Sequence, residues 1–436
     1  MTRRVQVGNQ VSCRGDTRRA AVVLASCLAI VPALSTFISA SGHAAPPPET
    51  FAQFRTALWP DARAAGISRQ TFDRALRTLK PDLALPDLER PARAGDQAKK
   101  KRGQPEFIKP PRDYLSPRML ANLTARGRIK EREYAKPLAE IRRRFNVAPE
   151  VVLAIWGRET AFGGYRLKHD AIRAIATQAW TGRRRQQFRA ELILALKILE
   201  EKRTTRTAMR SSWAGAMGPT QLLPSNYYDH AVDLDGDGDK DIWSSVPDAL
   251  GAAAKSLIDN GWQPDRTWGW EIRKPKTFDC AQEGPDKKRP LSAWIAEGYT
   301  RTFDRQWPQD ALAEDAYLLL PEGARGPAFL MHNNFLVLKS YNFADLYALF
   351  VGNLADRIAG GGKFETAWAT TKRHDKSRIA DIQRWLNAAN YPAGQVDGRA
   401  GTITRSAIGA YQKAEGLTLD CYPSRAVWQH LRQARQ

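Results

Sequence analysis

IWGRETAFGG, residues 155–164, sets one carboxylate, Glu159, at the end of an apolar helical run and follows it within a turn by the breakers Gly163 and Gly164. The helical pattern begins at Pro149, a residue suited to the first position of a helix because the N–H it lacks would have no intrahelical partner there. A carboxylate at a helix C-terminus faces the negative end of the macrodipole, and the neighbours Ile155, Trp156 and Phe162 strip water from it. Both effects raise its pKa. A carboxyl group still protonated near neutral pH is what a general acid requires. The same residues also accommodate a plain surface glutamate paired with Arg158, so the segment does not stand alone.

A second stretch, SSWAGAMGPTQLLPSNYY at 211–228, combines the small residues Ala214, Gly215, Ala216 and Gly218 with the polar Ser212 and Gln221. Small residues let backbone approach a ligand closely, and the short polar side chains can position a sugar N-acetyl or hydroxyl group. Together, GRETAFGG and AGAMGPTQLLPSNY resemble the active-site motifs of the lytic murein transglycosylase B family, and the resemblance runs over 51–358. It implies a mainly α, lysozyme-like α+β catalytic domain that acts on peptidoglycan glycan strands. One glutamate would protonate the glycosidic oxygen between N-acetylmuramic acid and N-acetylglucosamine, then take the proton from the muramyl C6 hydroxyl. The product would be a 1,6-anhydromuramyl end, with no cofactor required for the chemistry. By position, the resemblance implies Glu159 as that acid and base, and Ser212 and Gln221 as substrate-binding residues. Tyr341, Asn342 and Tyr347 in KSYNFADLYAL, and Tyr114 in RDYL, match cleft residues. Leu222 and Ser256 depart from the pattern, standing where an aromatic residue and a tyrosine can occur.

The mechanism that the resemblance implies also makes sense on the residues alone. Ordinary glycosidases need two carboxylates. No acidic residue lies within 211–226, whereas a substrate whose own acetamide and C6 hydroxyl react needs only one. A hydrolytic muramidase, or a wall-binding protein without activity, are the competing expectations; the intact Glu159 argues against the second.

DLDGDGDKD at 233–241 supplies Asp233, Asp235, Asp237 and Asp239 at alternate positions with Gly238 at the sharp turn, as in the first half of an EF-hand loop. Its twelfth position is Ser244 rather than a bidentate Glu, and Asp248 lies four residues beyond. A structural calcium site in a widened loop, as the family resemblance implies for some members, competes with a metal-free acidic turn.

The last sixty or so residues read as a unit of their own. SRIADIQRWLNAANYPAGQVDGRAGTITRSAIGAYQKAEGL places Ile379, Ile382 and Leu386 on one helical face and Ile403, Ala407 and Tyr411 on another, joined by the VDG turn. It resembles the three-helix peptidoglycan-binding domain type 1. The expected division is a leader over 1–44, a catalytic domain over 50–360, a polar linker over 361–376 beginning in GGGK, and a separate C-terminal three-helix bundle over 377–436 that shares little buried surface with the rest.

Residues 1–44 carry scattered arginines, an apolar run over 20–38 interrupted by Pro32, and then SASGHAA, which is the pattern of a secretory signal cut after Ala44. Cys27 in LASC resembles a lipoprotein box, so attachment to a membrane is expected only if Cys27 is lipidated. The segment holds five arginines and one aspartate, so its removal takes the net charge from +21 to +17. A basic surface wants a polyanion, and export makes an acidic wall in the periplasm the expected partner rather than nucleic acid. Without the leader, two cysteines remain, Cys280 and Cys421, either paired or as free thiols. The chain is expected to act as a monomer.

Along the catalytic part, helices are predicted within 51–79, with Ser68 as an N-cap, and over 133–145, 149–159, 186–201, 248–260 and 326–358. A loop is expected over 90–111 and another over 214–245, with a strand at 270–274.

Overall fold

In a computed structural model of the chain, which describes residues 50–89, 105–370 and 375–435, the helix Pro149–Thr160 is the axis of the largest core. Its residues Val151 to Gly157 are all buried, as expected of a helix apolar on every side. It is enclosed by Pro117–Glu133, Ala135–Phe145, Val246–Asp259 and Asp345–Ile358. Gly157 is needed for one of these contacts, since a Cβ there would come within 2.7 Å of the Phe162 ring. A second core gathers Phe51–Ala64, Arg69–Leu76, Ala171–Thr181 and Arg185–Glu200, with Ser68 capping its helix by accepting from the Thr71 N–H. The helices Pro117–Glu133 and Ala171–Thr181 are additions to the expected set. Pro105–Ile108 and Pro111–Tyr114 are short helices where a loop was expected to run to 111.

The strand predicted at 270–274 is Gly269–Arg273, and it belongs to a five-stranded antiparallel sheet. The order is Arg289–Pro290, Asp315–Leu319, Ala328–Met331, Gly269–Arg273, Thr300–Arg301, with Trp270 opposite Leu330 and Tyr317 opposite Met331. The helical pattern expected from 326 is therefore wrong at its start: Ala328–Met331 is a strand, and helices occupy only Asn333–Tyr341 and Asp345–Ile358. Both faces of this sheet are covered. Tyr317, Leu319, Phe329 and Met331 join the main core, while Leu318, Leu320 and Leu330 face a third cluster with Trp294, Cys280 and Cys421.

Cys421 lies in the C-terminal module, and its place in that cluster overturns the expected loose attachment. The helices Lys376–Ala388, Thr402–Ala414 and Arg425–Gln433 form the three-helix unit, and it is docked on the catalytic body. Cys280 and Cys421 form a disulfide. Arg405, 5% exposed, makes a two-point ion pair with the fully buried Glu283, at 2.5 and 3.0 Å. Gly409 sits against Ala281, and the Ala324 N–H donates to the Asp420 carbonyl at 2.8 Å. The described part of the expected linker is also anchored. Glu271 accepts the backbone N–H groups of Glu365 and Thr366, while Phe364 and Trp368 pack on Phe329. On the second predicted face of the module Ala407 and Tyr411 are buried as expected, but Ile403 is 58% exposed and Ile408 takes its share of the core. Ile379, Ile382 and Leu386 are buried as expected. The leader with Cys27 lies outside the described residues, and among those no helix is long and apolar enough to cross a membrane.

Candidate active site

Glu159 occupies the last turn of its helix, and the chain leaves that helix through consecutive left-handed residues, Ala161, Phe162 and Gly163. Two of these are not glycine. Such backbone is costly unless packing enforces it, and Phe162 is held edge-on to Trp156 at 5.4 Å. The turn is also latched to the second motif: the Thr160 hydroxyl donates to the Pro219 carbonyl at 2.8 Å. The two segments singled out in the sequence therefore meet through the residue next to Glu159.

The carboxyl group of Glu159 is half-buried by accessible surface, yet enough protein surrounds it that desolvation raises its pKa. A hydrogen bond from the Tyr347 hydroxyl to Oε1, at 2.5 Å, and the charge of Arg158 pull the other way, while the charge of Glu106 adds to the rise. Burial pushes the Tyr347 and Tyr341 hydroxyls up as well, so both are neutral donors. The Tyr341 hydroxyl is buried with no hydrogen-bond partner among the described residues, although its ring is packed against the main core and the Glu159 charge reaches it. A donor in that state is available to a ligand.

Among the described residues no ion pair joins Arg158 to Glu159, which removes the plain surface-glutamate reading. The Arg158 guanidinium donates instead to the Tyr114 hydroxyl, from Nε at 3.1 Å and from Nη2, and lies over the Phe350 ring at 5.1 Å. Tyr114, 3% exposed, is part of this support rather than an open cleft wall, and burial pushes its hydroxyl up to about 12. Ser212 and Gln221 hold the loop in shape. The Ser212 hydroxyl accepts the Ala216 N–H, and Gln221, at φ 57°, donates its amide to the Gly218 carbonyl. Leu222 is buried in the second core and Ser256 is buried in its helix, so neither position offers a stacking surface. Asn342 donates from Nδ2 to Oε1 of Glu106 at 2.9 Å and accepts the Ala344 N–H through its own oxygen. Glu106 was missed because the surrounding sequence reads as loop; the one available signal was an acidic residue beside Phe107 just ahead of RDYL.

In the acidic loop, oxygens of Asp233, Asp235 and Asp248 lie within 4.8 Å of one another. Asp237 and Asp239, expected alongside them, are not in this group: the Asp237 carboxylate accepts the Asp239 N–H, and that of Asp239 accepts the Lys240 N–H. Asp248 is fully buried and accepts the N–H groups of Leu234 and Asp241, which holds the two ends of the loop together. Among the described residues no ion pair reaches the three carboxylates, whose partners are backbone N–H groups and the Ser245 hydroxyl. An all-oxygen, uncompensated set of this kind suits a hard divalent cation.

Residues 50–356 match the family described as the transglycosylase SLT domain. The chain belongs to that family. Residues 375–431 match a second family, described as a putative peptidoglycan binding domain. SltB3 from Pseudomonas aeruginosa, solved in complex with NAG-anhNAM-pentapeptide, is 37% identical, with a TM-score of 0.76 over 88% of this chain and all of that one. The same protein solved with NAG-NAM-pentapeptide gives a TM-score of 0.77 over the same shares. Membrane-bound lytic murein transglycosylase B of Escherichia coli is 29% identical over 217 residues, 49% of this chain and 58% of the relative. The chain thus spans little more than half the length of that curated relative. The chain has the lysozyme-like lytic transglycosylase fold, mainly helical with a minor sheet, and the helical C-terminal unit belongs to the match with the second family.

Proposed function

We propose that this chain cleaves the β-1,4 bond between N-acetylmuramic acid and N-acetylglucosamine in peptidoglycan without water, through Glu159 alone. The observation that carries the reading is the Glu159 carboxyl group, whose burial raises its pKa, held by Tyr347 at the end of a strained helix exit that Thr160 latches to the small-residue loop. In the first step the Glu159 carboxyl gives its proton to the glycosidic oxygen, and the C1–O bond breaks as positive charge develops on the muramyl ring. In the second step the C6 hydroxyl oxygen of the same ring bonds to C1 while its proton returns to Glu159. The enzyme ends as it began, and no water has been added. Tyr341, Asn342, Ser212 and Gln221 would hold the sugar, with Tyr341 bringing its unpaired hydroxyl. That SltB3 has been solved with an anhydro-muramyl ligand supports this outcome.

The reading has a definite pH consequence. Because Glu159 must start protonated and burial raises its pKa, activity falls as pH rises through that raised value, and the alkaline limb of the kcat profile reports it. A profile whose alkaline limb is unchanged in Tyr347→Phe would contradict the assignment. The Tyr347 hydrogen bond favours the carboxylate, so its loss should move the limb to higher pH.

Export through residues 1–44 and attachment to peptidoglycan through the C-terminal module fit the strongly basic mature charge. Asp233, Asp235 and Asp248 would hold calcium in a structural role, with no part in the reaction. Calcium at a hundred times its dissociation constant should then stabilise the fold by about 2.7 kcal/mol. Asp235→Ala should abolish the gain in melting temperature. A melting temperature indifferent to both calcium and chelator would mean that the loop is only an acidic turn.

A further inference from the structure

Glu106 is a second carboxylate at the site, and neither the motifs nor the mechanism uses it. It is 8% exposed, stands on the short helix Pro105–Ile108, and bonds across the fold to Asn342 at the end of the helix Asn333–Tyr341. A primary amide has two donors and one acceptor. The Asn342 oxygen is taken by the Ala344 N–H and one donor by Glu106, which leaves the other donor in a fixed direction. The clamp is braced from behind. Phe107 and Phe343, the residues following each partner, stack at 5.0 Å, and Arg399 of the C-terminal module lies 4.1 Å over Phe107. Glu106, Phe107, Phe343 and Arg399 line a cavity of 350 Å³ along the seam between the two parts of the chain, so the Glu106 side of the clamp borders open space.

We propose that Glu106 is a positioning residue for the reaction, clamping the Asn342 amide so that its second N–H is held for the glycan. The proposal rests on the assignment of Glu159 and Asn342 above. Five groups act on Glu159 or its immediate partners. Arg158 lies on its own helix, Tyr347 on Asp345–Ile358, Tyr341 on Asn333–Tyr341, Tyr114 on Pro111–Tyr114 and Glu106 on Pro105–Ile108. Of these, only Glu106 carries negative charge, so its effect opposes that of Arg158.

The test is a kcat and KM profile against pH on a soluble glycan oligomer, with the melting temperature of each variant measured alongside. Glu106→Gln keeps an oxygen for Asn342 and removes the charge, so the alkaline limb should move to lower pH with little change in KM. Glu106→Ala should make the same shift and also raise KM about tenfold, the size of one lost hydrogen bond to the ligand. Asn342→Ala should raise KM by a similar factor and leave the limb where Glu106 holds it. Glu106→Asp should restore part of the limb. If KM stays in place in both Glu106→Ala and Asn342→Ala, or if Glu106→Ala loses activity only in step with its melting temperature, the proposal is overturned. Product chemistry is read separately in the parent protein, so a failure of the proposed reaction would be seen there and not mistaken for a failure of this one.

Discussion

Glu159→Gln is expected to fold and bind wall like the parent and to lose about two to four orders of magnitude in rate, the range of a positioned general acid and base. The amide keeps the shape of the side chain and can still accept from the Tyr347 hydroxyl. It has no proton to give to the glycosidic oxygen and no basic site to recover one from the C6 hydroxyl. The loss should appear in kcat rather than KM, since the sugar contacts assigned to Tyr341, Asn342 and the 211–223 loop are untouched. Retention of activity within a few-fold of the parent would show that another group does the proton transfer. Glu106 would then be the next to examine.

The second large effect concerns the C-terminal module. A chain ending at Gly360 is expected to be severely destabilised, because the cut removes Arg405 from the fully buried Glu283. Stripping the partner from a buried charge costs about 3–5 kcal/mol. The same cut removes the disulfide between residues 141 apart, a constraint worth about 5 kcal/mol in the chain-entropy account, and uncovers the Leu318, Leu330 and Trp294 cluster. These losses rival the whole stability of a domain. Urea titration with activity as a second readout checks this. Arg405→Ala alone should lower stability strongly, and adding Glu283→Ala should recover part of the loss, because the unpaired charge is then gone as well. A truncated chain with an unfolding midpoint close to that of the full chain would restore the loose tether that the polar 361–376 stretch suggests.

That contrast shows where the sequence was readable. The helix ending in Glu159 was legible because Pro149 opens it, its interior is apolar throughout, and Gly163 follows. The two motifs could be paired only by resemblance, since the Thr160–Pro219 bond that joins them leaves no periodic trace. The sheet was mostly hidden. YLLL and AFLM are buried on both faces, so they lack the alternation of a half-exposed strand and pass for helix. The docking of the module was hidden for another reason. Arg405 and Glu283 are charged residues that a sequence reading places in solvent, and the glycines after Ile358 read as a flexible tether although Phe364 and Trp368, half-buried, pack on Phe329 a few residues later. In the acidic loop, alternate spacing drew attention to all four aspartates of 233–239, but it could not show that only Asp233 and Asp235 gather with Asp248.

The central claim is that Glu159 acts alone and the substrate supplies its own nucleophile. Mass spectrometry of the muropeptides released from purified peptidoglycan tests it most directly, comparing each product with its hydrolysed counterpart and repeating the digestion in isotopically heavy water oxygen. The account predicts products lighter by one water, with 1,6-anhydromuramyl ends that resist borohydride reduction and contain no heavy oxygen. Reducing muramyl ends that carry the heavy oxygen would contradict it, and would make this chain a hydrolase with a second carboxylate at work.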